Sequence, residues 1–170
     1  SRKEFSEIFF TNKVEIASKI KEFKWAYDFI GKYKDRLNSE NRNDIVNFCY
    51  AIIEFESGNY PASLDLLGKI NLHHPLLRFR IRNYTLLNYY ELNYLEQAFS
   101  LVDSYKHMLA KDKKMETSWK ERYNAFLSLY QKILETKYGS KKIDMDFFRN
   151  EIESKAVFMK QWLLEKVNEI

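Results

Sequence analysis

The chain of 170 residues is 45% hydrophobic and 31% charged, which supplies a buried core and excludes a disordered segment. Its 28 basic and 24 acidic side chains leave a formal charge of only +4, spread along the whole chain rather than gathered into the basic stripe of a nucleic-acid binder. The single cysteine, Cys49, excludes an internal disulfide and a cysteine-rich zinc site, while 4 Gly and 2 Pro give too little punctuation for a sandwich or barrel.

The expectation is therefore an all-α chain, a single helical-repeat domain over 1–170. The first helix, from about Arg2 to Glu22, carries Phe5, Ile8, Phe9, Asn12, Ile16 and Ile20 at three- and four-residue steps, the spacing of a stripe that faces a core. Trp25, Phe29, Ile30, Tyr33 and Leu37 make the stripe of a second helix, which the polar run Asn38-Ser39-Glu40-Asn41 breaks. Ile45, Phe48, Cys49, Ile52, Ile53 and Phe55 make the third, closed at Ser57-Gly58-Asn59, where glycine suits the left-handed end of a helix.

Pro61 suits the opening turn of a fourth helix, whose amides have no intrahelical partner, and Leu64, Leu67 and Ile70 carry it toward His73-His74-Pro75. Leu77, Ile81, Tyr84, Leu87 and Leu92 predict a fifth helix, and Ala98, Leu101, Val102, Tyr105 and Leu109 a sixth, with Asn93-Tyr94 as the corner between them. A long seventh helix runs from Thr117 to Tyr138-Gly139-Ser140. An eighth, from about Asp144 to the chain end, carries Phe148, Ile152, Met159, Trp162, Leu163 and Val167. The repeat-like hairpins fall over about 10–110, and 115–170 is expected to hold two long helices, the last acting as a cap.

Phe23-Lys24-Trp25-Ala26, Tyr60-Pro61-Ala62-Ser63 and Leu95-Glu96-Gln97-Ala98 repeat one signal, an aromatic or apolar residue followed by a small one. The small residues Ala26, Ser63 and Ala98 stand 37 and 35 positions apart, near the ~34-residue period of a helix-turn-helix repeat. With Gly58, Tyr60, Ser63 and Pro75 at the family's offsets, the stretch around Gly58–Leu67 resembles a tetratricopeptide repeat. The unit centred on Ala98 departs from the pattern at Asn93 and Ala110, and that on Ala26 at Lys21 and Asn38. The resemblance implies a stack of antiparallel helical hairpins, an α-α superhelix, that holds a peptide or protein surface without catalysing a reaction.

The resemblance also implies that the first helix of each unit lines a concave groove, which selects Asn12, Glu15, Phe48, Ile52, Phe55, Arg80, Asn83, Tyr84, Leu87 and Tyr90. Of these, Arg80, Asn83, Tyr84 and Tyr90 are the expected partner contacts, with Phe48 and Phe55 as the apolar floor, and the terminal helix is the internal segment that would fill such a groove. Self-association through exposed aromatics is a second use of the surface. In the alternative, nucleic-acid reading, Arg78, Arg82, Lys111, Lys113, Lys114, Lys141 and Lys142 contact phosphates.

His73-His74 and the isolated His107 do not form a metal-ligand set, and Cys49 within an apolar stripe reads as an inert buried thiol. Glu54 with Glu56 and Asp144 with Asp146 stand two apart, so on a helix they point apart; the Asp pair more simply supplies negative charge at a helix start. No phosphate-binding glycine loop, nucleophile elbow or HExxH is present, so no enzyme, cofactor or metal is expected. No apolar run approaches the ~18 residues of a membrane span and there is no signal-peptide core. A cytoplasmic, membrane-free location is the expectation.

Overall fold

A computed structural model describes residues 5–139 and 142–170; Ser140 and Lys141 lie outside the described residues. Among the described residues the regular structure is helical, without a strand. The chain divides into two compact units, Ser1–Tyr94 and Leu95–Ile170.

The first unit holds α1 (Glu7–Lys19), α2 (Phe23–Tyr33), a 3-10 turn at Lys34–Arg36, α3 (Arg42–Glu56), α4 (Tyr60–Gly68) and α5 (Arg78–Glu91). Helix α3 is its centre, packed against α1, α2, α4 and α5. Its stripe is buried as expected, with Ile45, Phe48, Cys49, Ile52 and Ile53 all essentially inaccessible. Burial of each such large apolar side chain contributes roughly 1.5–3 kcal/mol.

The three positions that the resemblance places at hairpin corners share one backbone geometry. Lys21, Gly58 and Asn93 all adopt positive φ, at 65, 86 and 59°. At each, the amide of the next residue donates back to the carbonyl five positions earlier: Glu22 to Ala17, Asn59 to Glu54 and Tyr94 to Tyr89, at 2.9, 2.8 and 2.8 Å. This is the Schellman closure, which satisfies carbonyls that the helix end leaves open. The small residues that follow, Ala26, Ser63 and Ala98, are fully buried. Ser63 also ties helices together, because Asn88 Nδ2 donates to its Oγ at 2.9 Å and that Oγ donates to the Ala51 carbonyl at 2.8 Å.

Helix α1 corrects the expected stripe. Its buried residues are Phe10, Thr11, Val14, Ala17 and Ser18, whereas Ile8, Phe9, Ile16 and Ile20 are exposed. Two hydroxyls can be buried here because each bonds its own helix: Thr11 Oγ1 to the Glu7 carbonyl at 2.9 Å and Ser18 Oγ to the Val14 carbonyl at 2.7 Å. On α2, Phe29 and Ile30 are buried but Trp25, expected in the same stripe, is half exposed and stacks on Phe29 at 5.0 Å between ring centroids.

The second unit holds α6 (Leu95–Lys111), α7 (Thr117–Tyr138), α8 (Met145–Ser154) and α9 (Lys160–Glu169). Helix α7 packs against α6 and α9, and α8 against α9. Asp144 caps α8, its carboxylate accepting the amides of Asp146 and Phe147 at 3.1 Å, in keeping with negative charge at a helix start. The single terminal helix expected from Asp144 onward is instead two, broken at Lys155–Met159, where Lys155 is extended and Met159 left-handed at φ 57°. The break turns Val157 and Phe158 inward, Val157 to burial and Phe158 onto Tyr123 at 4.3 Å. The long capping helix is thus replaced by a bent pair. Phe148, Ile152 and Trp162 are buried, with Trp162 stacked on Tyr130 at 5.8 Å.

Candidate functional site

The polar centre of the first unit is Glu15 on α1. Arg80 Nη2 on α5 donates to Glu15 Oε2 at 2.6 Å while its Nη1 donates to Thr11 Oγ1 at 2.6 Å, so one guanidinium grips two residues of α1. Tyr84 OH, one turn further along α5, donates to Glu15 Oε1 at 2.9 Å, and Lys19 Nζ stands 3.0 Å from the same oxygen. The guanidinium lies over the Phe48 ring of α3, 4.9 Å from its centroid. A planar fork that pairs with a carboxylate on one side and covers a ring with its face is a use of arginine that lysine cannot copy.

The electrostatics follow from this geometry. Burial pushes the Glu15 carboxyl up, but the charges of Arg80 and Lys19 and the bonds from Lys19 and Tyr84 outweigh it and hold the group below the ordinary carboxylate value. Tyr84 moves the other way, raised by burial first and by the Glu15 charge second. Burial also pushes the Cys49 thiol up, which disfavours the thiolate in the apolar stripe where it lies.

The residues assigned to a groove from the sequence are mostly interior. Phe48 and Phe55 meet the ring of Tyr84 edge-on at 5.8 and 5.7 Å, and all three are buried, as are Asn83 and Tyr90. Ile52 and Leu87 are buried as well, and of the wider set Asn12 alone is fully exposed. The structure therefore brings Phe48, Phe55, Arg80 and Tyr84 together with Glu15, but as a packed, internally paired cluster. A sequence reading of a helical face cannot tell a groove from the same face closed by an ion pair between residues 65 positions apart.

The alternate arginines separate as their spacing requires. Arg80 is turned to Glu15, whereas Arg82 Nη1 donates to the carbonyls of Arg78 and Leu72 at 2.6 and 3.1 Å, and Arg78 covers the Phe79 ring at 4.6 Å. Lys111, Lys113, Lys114 and Lys142 are exposed in the second unit, and Lys141 lies outside the described residues. His74 is buried, its Nδ1 accepting the Leu76 amide at 3.3 Å, and His107 is exposed. Among the described residues no three His, Cys, Asp or Glu side chains converge on a point that would hold a metal ion. No described helix is long and apolar enough to cross a membrane.

A cleft of about 460 Å³ opens beside α4, lined by Pro61, Leu64, Asp65, Gly68, Lys69, Leu92 and Tyr94. Its charged groups, Asp65 and Lys69, pair with each other at 3.1 Å. Accessible large apolar side chains lie elsewhere, along α1 and at the start of α2. Ile8, Phe9, Ile16, Ile20 and Trp25 are 53, 45, 60, 66 and 46% exposed. The sequence periodicity found these residues but read them as core. The chain matches no protein-family model, no curated protein and no solved structure.

Proposed function

We propose that this protein is a non-enzymatic protein-interaction module built as a tetratricopeptide-like stack of hairpins. The reading rests on one observation above the rest: Ile8, Phe9, Ile16 and Ile20 are open to water along α1 and its C-terminal end, and Trp25 of α2 is half exposed. Large apolar side chains left accessible along one helix face mark interaction surfaces when they form a contiguous patch. The partner surface is thus the outside of α1 rather than the concave side first expected, whose side chains are engaged around Glu15. The nucleic-acid reading has less behind it, because two of its arginines are engaged within the chain, Arg82 with backbone carbonyls and Arg78 over the Phe79 ring.

The test is affinity capture from a lysate of source cells, comparing the chain with an Ile16→Asp, Ile20→Asp double variant of matched helicity. The expected result is a specific protein retained by the chain and lost by the variant. Retention that is equal for both removes the α1 face from the function, and no retained protein removes the interaction reading.

A further inference from the structure

The spacing of the repeats allows α1, α3 and α5 to be compared position by position, since their corner residues Lys21, Gly58 and Asn93 stand 37 and 35 apart and share one conformation. Thr11, Val14 and Ser18 then correspond to Phe48, Ala51 and Phe55 on α3 and to Asn83, Leu86 and Tyr90 on α5. All nine are buried.

A second set of positions behaves differently. Ile8, Asn12 and Ile16 correspond to Ile45, Cys49 and Ile53 on α3 and to Arg80, Tyr84 and Asn88 on α5. On α5 this set meets the preceding hairpin: Tyr84 packs on Phe48 and Phe55 of α3, and Asn88 bonds Ser63 of α4. On α3 the set is wholly buried, in a helix against which α1 and α2 both pack. On α1 the same positions are exposed. They are two isoleucines and an asparagine, where α3 carries buried Ile, Cys and Ile.

From this register we infer that the Ile8–Asn12–Ile16 face of α1 is the docking surface for a further α-helical hairpin, seated on α1 and α2 as α1 and α2 are seated on α3. The inference rests on the interaction reading above and names the kind of partner. The occupant is a helical pair with an apolar inner side, because the α1 face repeats, position for position, a set that is buried one repeat later in a helix carrying a helical pair against it.

The experiment is a tandem duplication of residues 5–41 within the full chain, which places a hairpin of known sequence ahead of α1 and keeps the 37-residue spacing. Ile16→Cys in the second copy reports cover by its rate of maleimide labelling; Cys49 is buried, and Ser128→Cys, on an exposed position of α7, serves as the reference. The expected result is labelling at position 16 slowed about tenfold or more relative to the unduplicated chain, with the reference rate unchanged. Adding Ile8→Asp to the second copy should restore fast labelling.

Unslowed labelling in a duplicated chain whose helicity has risen by the added helices overturns the inference. So does an unduplicated chain that dimerises on sedimentation and protects position 16 as its concentration rises, because a second copy is then the occupant. Either result leaves the capture experiment standing, so the failure of this inference is distinct from failure of the interaction reading.

Discussion

Arg80 Nη2 lies 2.6 Å from Glu15 Oε2, a pair that joins α5 to α1 across the buried ring of Phe48 on α3. Both side chains are mostly shielded, at 20 and 16% exposure. Removal of one partner from such a pair leaves the other charge poorly solvated, which costs more than the pair itself contributes. Arg80→Met should destabilise the first unit by about 2–3 kcal/mol, discounted from the fully buried case for the remaining exposure and for Lys19. Urea denaturation of Arg80→Met, Glu15→Gln and the double variant measures the coupling. A double variant as destabilised as the sum of the two singles would show that the pair does not act as one.

The pH dependence has a definite sign. Glu15 in the folded chain ionises below its ordinary value of 4.5, as burial is outweighed by Arg80 and Lys19. The unfolded chain therefore takes up the proton first, and the stability contributed by the ionised carboxylate is present above that value and is lost as pH falls through the folded one. Thermal melts between pH 6 and about 3 should show a falling Tm, with a shallower fall for Glu15→Gln. Glu151, lowered by bonds from Lys155 and Lys132, adds a smaller effect of the same sign in the second unit. Parallel acid limbs for the chain and Glu15→Gln would remove Glu15 from the account.

Phe48→Ala should cost about 3–5 kcal/mol, because a fully buried ring is replaced by a cavity beneath Arg80 and beside Tyr84. Tyr84→Phe keeps the ring and loses only the bond to Glu15, for about 1–2 kcal/mol. Chemical denaturation distinguishes the two. A near-neutral Phe48→Ala would return this ring to the class of groove residues.

Gly58 separates backbone conformation from packing. It sits at φ 86°, and a Cβ built there meets nothing within 4 Å. Gly58→Ala should nevertheless destabilise by about 1 kcal/mol, since the whole cost is the left-handed backbone. Met159→Gly, at φ 57° in the second unit, tests the same conformation with the opposite sign, offset by loss of the side chain's packing. A measured change of zero for Gly58→Ala would mean that the corner opens without harm to the fold.

Ile16→Asp and Ile20→Asp should change stability by no more than roughly 0.5 kcal/mol each, because both positions are already in water. Equilibrium unfolding checks this and secures the capture comparison. A large loss would place these side chains in a covered interface.

Local chain chemistry was legible without coordinates. The low glycine and proline content argued against a sandwich or barrel, and the 37- and 35-residue spacing of Ala26, Ser63 and Ala98 is matched by three corners, at Lys21, Gly58 and Asn93, that share one left-handed closure. Such features depend on backbone preference and on small residues where helices cross, both of which are written in a few neighbouring residues. Which apolar side chains are covered was decided only by tertiary structure. Helix α1 has an apolar stripe at Ile8, Phe9, Ile16 and Ile20 and a mixed stripe at Phe10, Thr11, Val14, Ala17 and Ser18, and the mixed one is buried. Periodicity shows that a helix has an apolar face, whereas burial depends on whether a neighbour stands opposite it. The same reason governs Glu15 and Arg80: their residue types allow an ion pair, but only the packing of α1, α3 and α5 brings them within 2.6 Å and closes a face that the sequence alone presented as open.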